Sequence, residues 1–168
     1  MAAPGCTLFA PSPTTTTPAP VTPQWTFTVV RHAERADDGT DDPPLTEAGT
    51  DRAARLALRL EPQRGVAVYA SPFRRAQSTA EPTAAAWGVP ITTYPATTSP
   101  AEVAASALHD NLRGSILIVG HSDTVPGIVS ALCACPVNPI PEDQFGNLYT
   151  VVIGTNHQVL TKLQTLNY

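Results

Sequence analysis

A series of short apolar runs, each followed at once by polar residues, constrains the fold of this chain more than any other feature. The clearest of these runs are residues 25–30, 66–70 and 116–119. A continuous apolar run of this length, rich in β-branched residues, is typical of a buried strand. Between the runs, apolar residues recur at helical spacing, as in Leu56 and Leu60. Strands that alternate with helices predict an α/β domain built on a parallel sheet.

Several helix-start signals lie between these strands. Thr46 is a predicted N-cap, with Glu47 in the first turn of the helix. Ser71-Pro72 and Ser99-Pro100 each combine a capping hydroxyl with a proline at the first helical position. Pro82 lies inside the helix that follows Ser71, so we expect a kink or a restart there.

The remaining segments complete a layered domain. Residues 91–94 predict a strand, and residues 99–114 and 124–133 predict helices. After a proline-rich connection over residues 134–147, residues 148–153 and 159–163 predict an antiparallel hairpin. We therefore expect residues 25–168 to form one α/β domain. Its predicted architecture is a three-layer α/β/α sandwich with a mostly parallel sheet and an antiparallel edge hairpin.

The first 24 residues differ in composition from the rest. Residues 1–24 alternate proline with threonine and alanine, which predicts a disordered tail. Ala3-Pro4-Gly5-Cys6 resembles the cleavage-site end of a bacterial lipoprotein, so a lipid on Cys6 would tether the domain to a membrane. This predicts an exported protein anchored at the cell envelope; the alternative is a tail on a cytoplasmic enzyme.

Charge and cysteine content exclude several classes of function. The net charge is −4, so the chain lacks the basic footprint of a nucleic-acid-binding protein. Four aspartates within residues 37–42 do not follow the EF-hand spacing and predict a solvated acidic loop. A bridge between Cys133 and Cys135 would close a very tight loop, so we expect these two cysteines to be core or helix-end residues.

Polar groups follow three of the predicted strands. These groups are Arg31-His32, the Ser71–Arg75 segment and Gly120-His121. Ligands of open α/β sheets bind along the edge where the carboxyl ends of parallel strands meet. Guanidinium groups bind phosphate oxygens, and imidazole is a nucleophile near neutral pH. The convergence predicts a pocket in which a histidine attacks a phosphoryl group.

The same segments resemble the motifs of a known family. Arg31-His32-Ala33-Glu34 resembles the Arg-His-Gly motif of the histidine phosphatase superfamily, with Ala33 in place of glycine. Leu45–Gly49 is similar to the Leu-Thr-x-x-Gly helix start of the family, and Ser71–Ala80 to its Ser-x-x-x-Arg-Ala-x-x-Thr-Ala segment. Gly120-His121-Ser122 matches the second histidine motif. The resemblance is to the short phosphatases of this phosphoglycerate-mutase-like superfamily.

The resemblance implies a role for each matched side chain. His32 would be the nucleophile and form a phosphohistidine intermediate. Arg31 and Arg75 would bind the phosphoryl oxygens, and His121 would complete the phosphate pocket and stabilise charge in the transition state. The implied activity is that of a phosphoric monoester hydrolase that needs no metal and no other cofactor.

The sequence offers two candidates for the general acid and assigns several other polar residues no catalytic role. Asp123 and Glu102 are the candidate proton donors, and Asp123 is equally suited to cap the following helix. Glu34 either orients the Arg31-His32 loop or faces water. Arg74 is interpreted as a solvated helix residue. His109 and His157 lie outside every motif and are interpreted as surface histidines.

The predicted substrate is a small phosphorylated compound or a phosphoprotein. The chain lacks the long insertions with which mutases cover their substrates, which argues against mutase activity and suits a large or exposed substrate. Phosphate monoesters and phosphohistidine are both substrates of the predicted kind. Two alternatives remain at this stage. One is a metal-dependent hydrolase with His32, His121 and acids of the 37–42 loop as ligands, although the arginines would repel a cation. The other is a non-catalytic module that binds a phosphorylated ligand. The oligomeric state is not indicated.

Overall fold

The computed structural model describes residues 22–111, 113–165 and 167–168. Nearly all of the predicted tail, including Cys6, lies outside the described residues. The elements, in chain order, are β1 (Pro23–Arg31), α1 (Glu47–Leu60), β2 (Ala67–Ala70), α2 (Arg74–Trp87), β3 (Ile91–Thr93), α3 (Pro100–His109), β4 (Gly114–Gly120), α4 (Val125–Cys133), β5 (Leu148–Gly154) and β6 (Val159–Thr165). In this part of the chain, no helix is both long and apolar enough to cross a bilayer.

The described strands form a six-stranded sheet in the order β3-β2-β4-β1-β5-β6. The four strands from β3 to β1 are mutually parallel. Strand β5 is antiparallel to β1 and forms a hairpin with β6 at the edge of the sheet. The predicted mostly parallel sheet with an antiparallel edge hairpin is confirmed. The first strand begins at Pro23, slightly before the predicted domain boundary.

Alternate residues of the central strands point to opposite faces of the sheet, as strand geometry requires. On one face, Ile116 and Ile118 of β4 pack with residues of α3 and α4. On the other face, Leu117 and Val119 pack with residues of α1 and α2, among them Leu56. Both faces are therefore covered by helices, and the predicted three-layer sandwich is confirmed.

Two of the three predicted helix caps are confirmed. The Thr46 hydroxyl accepts a hydrogen bond from the Gly49 N–H at 3.1 Å. Ser99 and Glu102 form a capping box at the start of α3. The third prediction is wrong, because α2 begins at Arg74 and has no side-chain cap. The hydroxyl of Ser71 lies in the cavity at the strand ends instead.

The α2 and α3 helices differ from the expectation in their extents. Helix α2 does not restart at Pro82, because buried residues on both sides of the proline, including Ala76 and Ala84, hold it against the sheet. Helix α3 ends at His109, earlier than predicted. Its end is fixed by Asn111, whose side chain donates to the carbonyl of Ala107 at 2.8 Å.

The prediction that Cys133 and Cys135 do not form a disulfide is wrong. Cys133 is the buried last residue of α4, as expected of a helix-end residue, and it forms a disulfide with Cys135. Ala134 between them adopts the left-handed conformation, with φ at 49°. This turn folds the chain back on itself and brings the two Cα atoms to 5.1 Å, within the usual range for a disulfide.

We expect Leu56→Ala to lower the free energy of unfolding by about 3 kcal/mol, because it leaves a cavity between α1 and the sheet. Leu56 is fully buried, whereas Leu58 on the same helix is 71% exposed. Leu58→Ala is therefore the matched control and should change the free energy by less than about 0.5 kcal/mol. Urea unfolding followed by circular dichroism measures both. Equal effects of the two substitutions would contradict the described orientation of α1.

Candidate active site

The ends of three parallel strands meet at one edge of the sheet. Arg31 at the end of β1 is paired with Gly120 at the end of β4, and Ala70 at the end of β2 lies opposite Val119. A cavity of about 640 Å³ opens at this edge. Its lining includes the predicted site residues Arg31, His32, Arg75, His121 and Asp123, together with Ser71. The structure therefore brings the predicted set together.

The His32 side chain is only 3% exposed, and its orientation is fixed. Its backbone N–H donates to the carbonyl of Gly120 at 2.9 Å. Its Nδ1 lies 2.8 Å from the carbonyl oxygen of Ala33. Because a carbonyl only accepts hydrogen bonds, Nδ1 carries the proton and Nε2 carries the free lone pair.

Burial sets the charge state of this ring. It lowers the pKa of His32 to about 3, and the nearby His121, Arg31 and Arg75 act in the same direction. The hydrogen bond to Ala33 opposes the shift without cancelling it. His32 is therefore neutral at physiological pH, as a nitrogen nucleophile must be.

The second histidine lies beside the first. The His32 and His121 rings have centroids 5.2 Å apart. The Nε2 atom of His121 is 2.7 Å from the hydroxyl of Ser71, and its backbone N–H donates to the Thr124 hydroxyl at 2.9 Å. Burial, and then the charge of Arg75, lowers the pKa of His121 to about 4. Two neutral imidazoles thus line the same cavity as two arginines.

Arg75 offers hydrogen-bond donors that the described part of the chain does not use. Its guanidinium group lies 4.4 Å from the ring centroid of Phe73, and Nη1 is 3.6 Å from Oδ1 of Asp42. This separation is longer than a hydrogen bond. Nε and Nη1 are buried and have no hydrogen-bond partner among the described residues. Buried donors without partners are rare in proteins, and Arg75 is one of the residues that line the cavity. A phosphoryl oxygen would satisfy them.

The Arg31 side chain is 2% exposed and is held by the segment 141–145. Its Nη1 donates to the carbonyls of Pro141, Glu142 and Gln144, at 3.2, 2.8 and 3.0 Å. Nη2 binds the Glu142 carboxylate at 2.9 Å, and the guanidinium lies 4.2 Å from the centroid of Phe145. Arg31 therefore reaches the cavity, but most of its donors already have partners.

Residues 141–145, predicted only as part of a proline-rich connection, contribute to the candidate site. Phe145 lies beside both Arg31 and His32, and its ring centroid is 6.0 Å from that of His32. Neither Glu142 nor Phe145 belongs to a motif, and no local pattern marks them. The pairing of Ser71 with His121 was also not predicted, although Ser71 begins a motif of the resembled family.

The two candidate proton donors have different positions. Asp123 lines the cavity, and it is not the N-cap of α4, because Thr124 occupies that position. Glu102 accepts hydrogen bonds from the Ser99 N–H and hydroxyl, at 2.9 and 2.7 Å, and this lowers its pKa. A carboxylate stabilised in a capping box is poorly suited to donate a proton. Glu102 is therefore a helix-capping residue, and the prediction that it acts at the site is wrong.

Glu34 orients the segment after His32. Its carboxylate forms a two-pronged ion pair with Arg52 of α1, with contacts of 2.6 to 3.0 Å. The backbone of Glu34 also packs against Gly49, and a side chain at Gly49 would collide with the Glu34 carbonyl. The glycine of the Leu-Thr-x-x-Gly motif thus permits this close contact. The first of the two alternatives for Glu34 is the correct one.

The remaining residues lie as predicted, on the surface. Arg74 is exposed, and its backbone N–H donates to Asp42 at 2.9 Å. His109 and His157 are also exposed. Within the described ranges, no three His, Cys, Asp or Glu side chains are grouped so that they could hold a metal ion.

Comparison with known proteins gives one family match. Residues 27–98 match the model of the histidine phosphatase superfamily (branch 1). The match extends from β1 to the segment after β3 and includes His32 and Arg75. This similarity supports a phosphatase function for this chain. No curated protein matches it.

Several solved structures of phosphatases share the fold of this chain. The protein histidine phosphatase SixA complexed with tungstate is 22% identical, with a TM-score of 0.64 over 84% of this chain and 97% of that chain. A mycobacterial glucosyl-3-phosphoglycerate phosphatase is 13% identical, with a TM-score of 0.63 over 86% and 98%. A phosphoserine phosphatase mutant from Entamoeba histolytica, in complex with phosphoserine, is 14% identical, with a TM-score of 0.60 over 85% and 96%. At these identities the comparison shows a shared fold.

The depressed pKa of His32 predicts a loss of stability in acid. Unfolded histidine titrates near 6.5 and folded His32 near 3, so the unfolded state binds more protons between these values. The contribution of His32 to the free energy of unfolding is complete above pH 6.5 and is lost as the pH falls toward 3. From pH 8 to 4.5 we expect wild type to lose about 2 to 3 kcal/mol of unfolding free energy that His32→Gln does not lose.

Urea unfolding at the two pH values measures this difference. His109→Gln is the matched control, because it removes a histidine that is 91% exposed. The control should lose as much stability in acid as wild type. Identical acid sensitivity of wild type and His32→Gln would contradict the neutral, buried state of His32.

Proposed function

We propose that this protein is a phosphatase that hydrolyses phosphate monoesters or phosphohistidine through a covalent phospho-His32 intermediate. One observation supports this above all others. A neutral imidazole with a free Nε2 lone pair lies in the same cavity as buried guanidinium N–H groups of Arg75 that have no partner among the described residues. The first group provides a nucleophile, and the second provides a site for the anionic oxygens around phosphorus.

In the first step, Nε2 of His32 attacks phosphorus. The N–P bond forms, the bond from phosphorus to the leaving group breaks, and its electron pair leaves with that group. The ring then carries positive charge, and its Nδ1–H donates more strongly to the carbonyl of Ala33, 2.8 Å away. In the second step, water attacks phosphorus, inorganic phosphate leaves and the neutral ring of His32 is restored.

Charged and polar donors would bind the phosphoryl oxygens in both steps. Arg75 and Arg31 both line the cavity, and their guanidinium groups would supply these donors. His121 completes the pocket, with its ring held by the hydroxyl of Ser71. Because the transition state carries its negative charge on these oxygens, fixed cations in a cavity stabilise it without reorganisation.

The leaving group determines whether a proton donor is needed. An alcohol leaves poorly without a proton, and Asp123, one of three carboxyl groups that line the cavity, would supply one. The imidazole of phosphohistidine is a better leaving group and depends less on such a donor. The names of the similar structures include a protein histidine phosphatase and a phosphoserine phosphatase, so both classes belong in the substrate panel.

The disulfide supports a proposal about location. Disulfides persist in oxidising compartments and are rare in the cytosol. The Cys133–Cys135 bridge is therefore consistent with an exported domain tethered through Cys6 at the cell envelope.

We expect His32→Ala to lower kcat by at least about 10³-fold, because it removes the atom that bonds to phosphorus. Wild type, quenched during turnover of ³²P-labelled substrate, should carry acid-labile, base-stable label that His32→Ala lacks. His109→Ala is the control and should keep both turnover and label. Full turnover by His32→Ala would refute the proposed mechanism. Loss of activity on treatment with a chelator would favour the metal-dependent alternative.

We expect Arg75→Lys to raise KM about tenfold or more, because lysine keeps the charge but loses the planar set of donors. Arg74→Lys is the matched control on the same helix turn, and its KM should stay within about twofold of wild type. Steady-state kinetics on the best substrate of a broad phosphate-ester and phosphoamino-acid panel measures both. Phosphate binding without hydrolysis of any compound would support the non-catalytic alternative.

A further inference from the structure

A carboxylate already lies at the proposed phosphate site. Oε2 of Glu142 is 2.9 Å from Nη2 of Arg31, and Oε1 accepts a hydrogen bond from the hydroxyl of Ser122. Arg31 is the last residue of β1, and Ser122 lies in the turn between β4 and α4. The carboxylate therefore connects two walls of the cavity through two separate oxygens. Glu142 also lines this cavity.

The Glu142 carboxylate accepts a hydrogen bond from Nη2 of Arg31, a donor that a phosphoryl group would also use. Nη1 of Arg31 is bound to three backbone carbonyls, and these leave it little capacity for a further acceptor. The remaining donors of Arg31 are Nε, which has no partner among the described residues, and Nη2, which binds Glu142. Carboxylate and phosphoryl oxygens accept the same charge-assisted hydrogen bonds. A phosphoryl group at Nη2 must therefore compete with Glu142.

The two members of this ion pair differ in how firmly they are held. The side chain of Glu142 is 79% exposed, whereas that of Arg31 is 2% exposed. Arg31 is fixed by the carbonyls and by Phe145, so it does not need the Glu142 carboxylate to keep its position. Only the Glu142 member of this ion pair is exposed to solvent. The carboxylate can therefore turn out to solvent while the guanidinium stays in place.

We propose that the Glu142 carboxylate binds Arg31 and Ser122 in the active site until a phosphoryl group displaces it. On displacement, Nη2 of Arg31 and the hydroxyl of Ser122 become donors to the phosphoryl oxygens. Ser122 is thereby a further phosphate-binding residue. This inference rests on the proposed function, because it takes the cavity as the phosphate site. Its consequence is weaker binding of phosphate and faster release of the product.

The test measures the affinity for inorganic phosphate, which needs no turnover. We expect Glu142→Gln to bind phosphate about tenfold more tightly than wild type at low ionic strength, because a competing charge is removed. The difference should shrink at high salt. Asp143→Asn is the matched control. It removes the same charge one residue away, where the side chain lines a different pocket beside Glu34, and its affinity should stay within about twofold of wild type.

Isothermal titration calorimetry gives these dissociation constants, and product inhibition gives them independently in an active preparation. Equal or weaker phosphate binding by Glu142→Gln would overturn the inference and leave the phosphatase proposal intact. Tighter binding without hydrolysis of any substrate would support the inference and refute the phosphatase. Absence of phosphate binding in both proteins would overturn both proposals. Loss of the affinity gain in the double variant Glu142→Gln/Ser122→Ala supports the role of Ser122.

Discussion

The candidate active site depends on the parallel pairing of β1 with β4. This pairing sets Arg31 opposite Gly120, and the His32 N–H continues the hydrogen-bond ladder one step further, to the Gly120 carbonyl. The two chain segments that carry the histidines therefore leave the sheet side by side. A shift of register by one residue would turn every side chain of β1 to the opposite face, so the same hydrophobic pattern that builds the core also fixes the two imidazoles.

Burial gives this site its chemistry. The sheet edge removes two imidazoles and two guanidinium groups from water, which favours neutral histidines and makes every unpaired arginine donor costly. The two arginines meet this cost differently. Arg31 finds partners in backbone carbonyls and Glu142, whereas Arg75 keeps donors without partners in the described part of the chain. The candidate site thus combines one arginine whose Nη1 and Nη2 have partners with one whose Nε and Nη1 have none among the described residues.

The sequence was informative where the signal is local. The apolar runs, the caps at Thr46 and Ser99 and the polar strand ends could be predicted, because each depends on neighbouring residues. Contacts between distant segments could not. Pro141 lies 110 residues after the arginine that its carbonyl binds, and nothing in a proline-rich connection indicates that it returns to the first strand. The disulfide was missed for a different reason, because it depends on the left-handed conformation of Ala134.

One hydroxyl group links the segment after His32 to the first turn of α2. The side chain of Thr79 accepts a hydrogen bond from the Ala33 N–H at 2.9 Å and donates one to the Arg75 carbonyl at 2.7 Å. It therefore fixes the segment that carries the proposed nucleophile relative to the helical turn that carries Arg75. Valine has the same shape but neither hydrogen bond. In the proposed mechanism, the distance between the attacking nitrogen and the guanidinium group thus depends on a threonine outside the cavity lining.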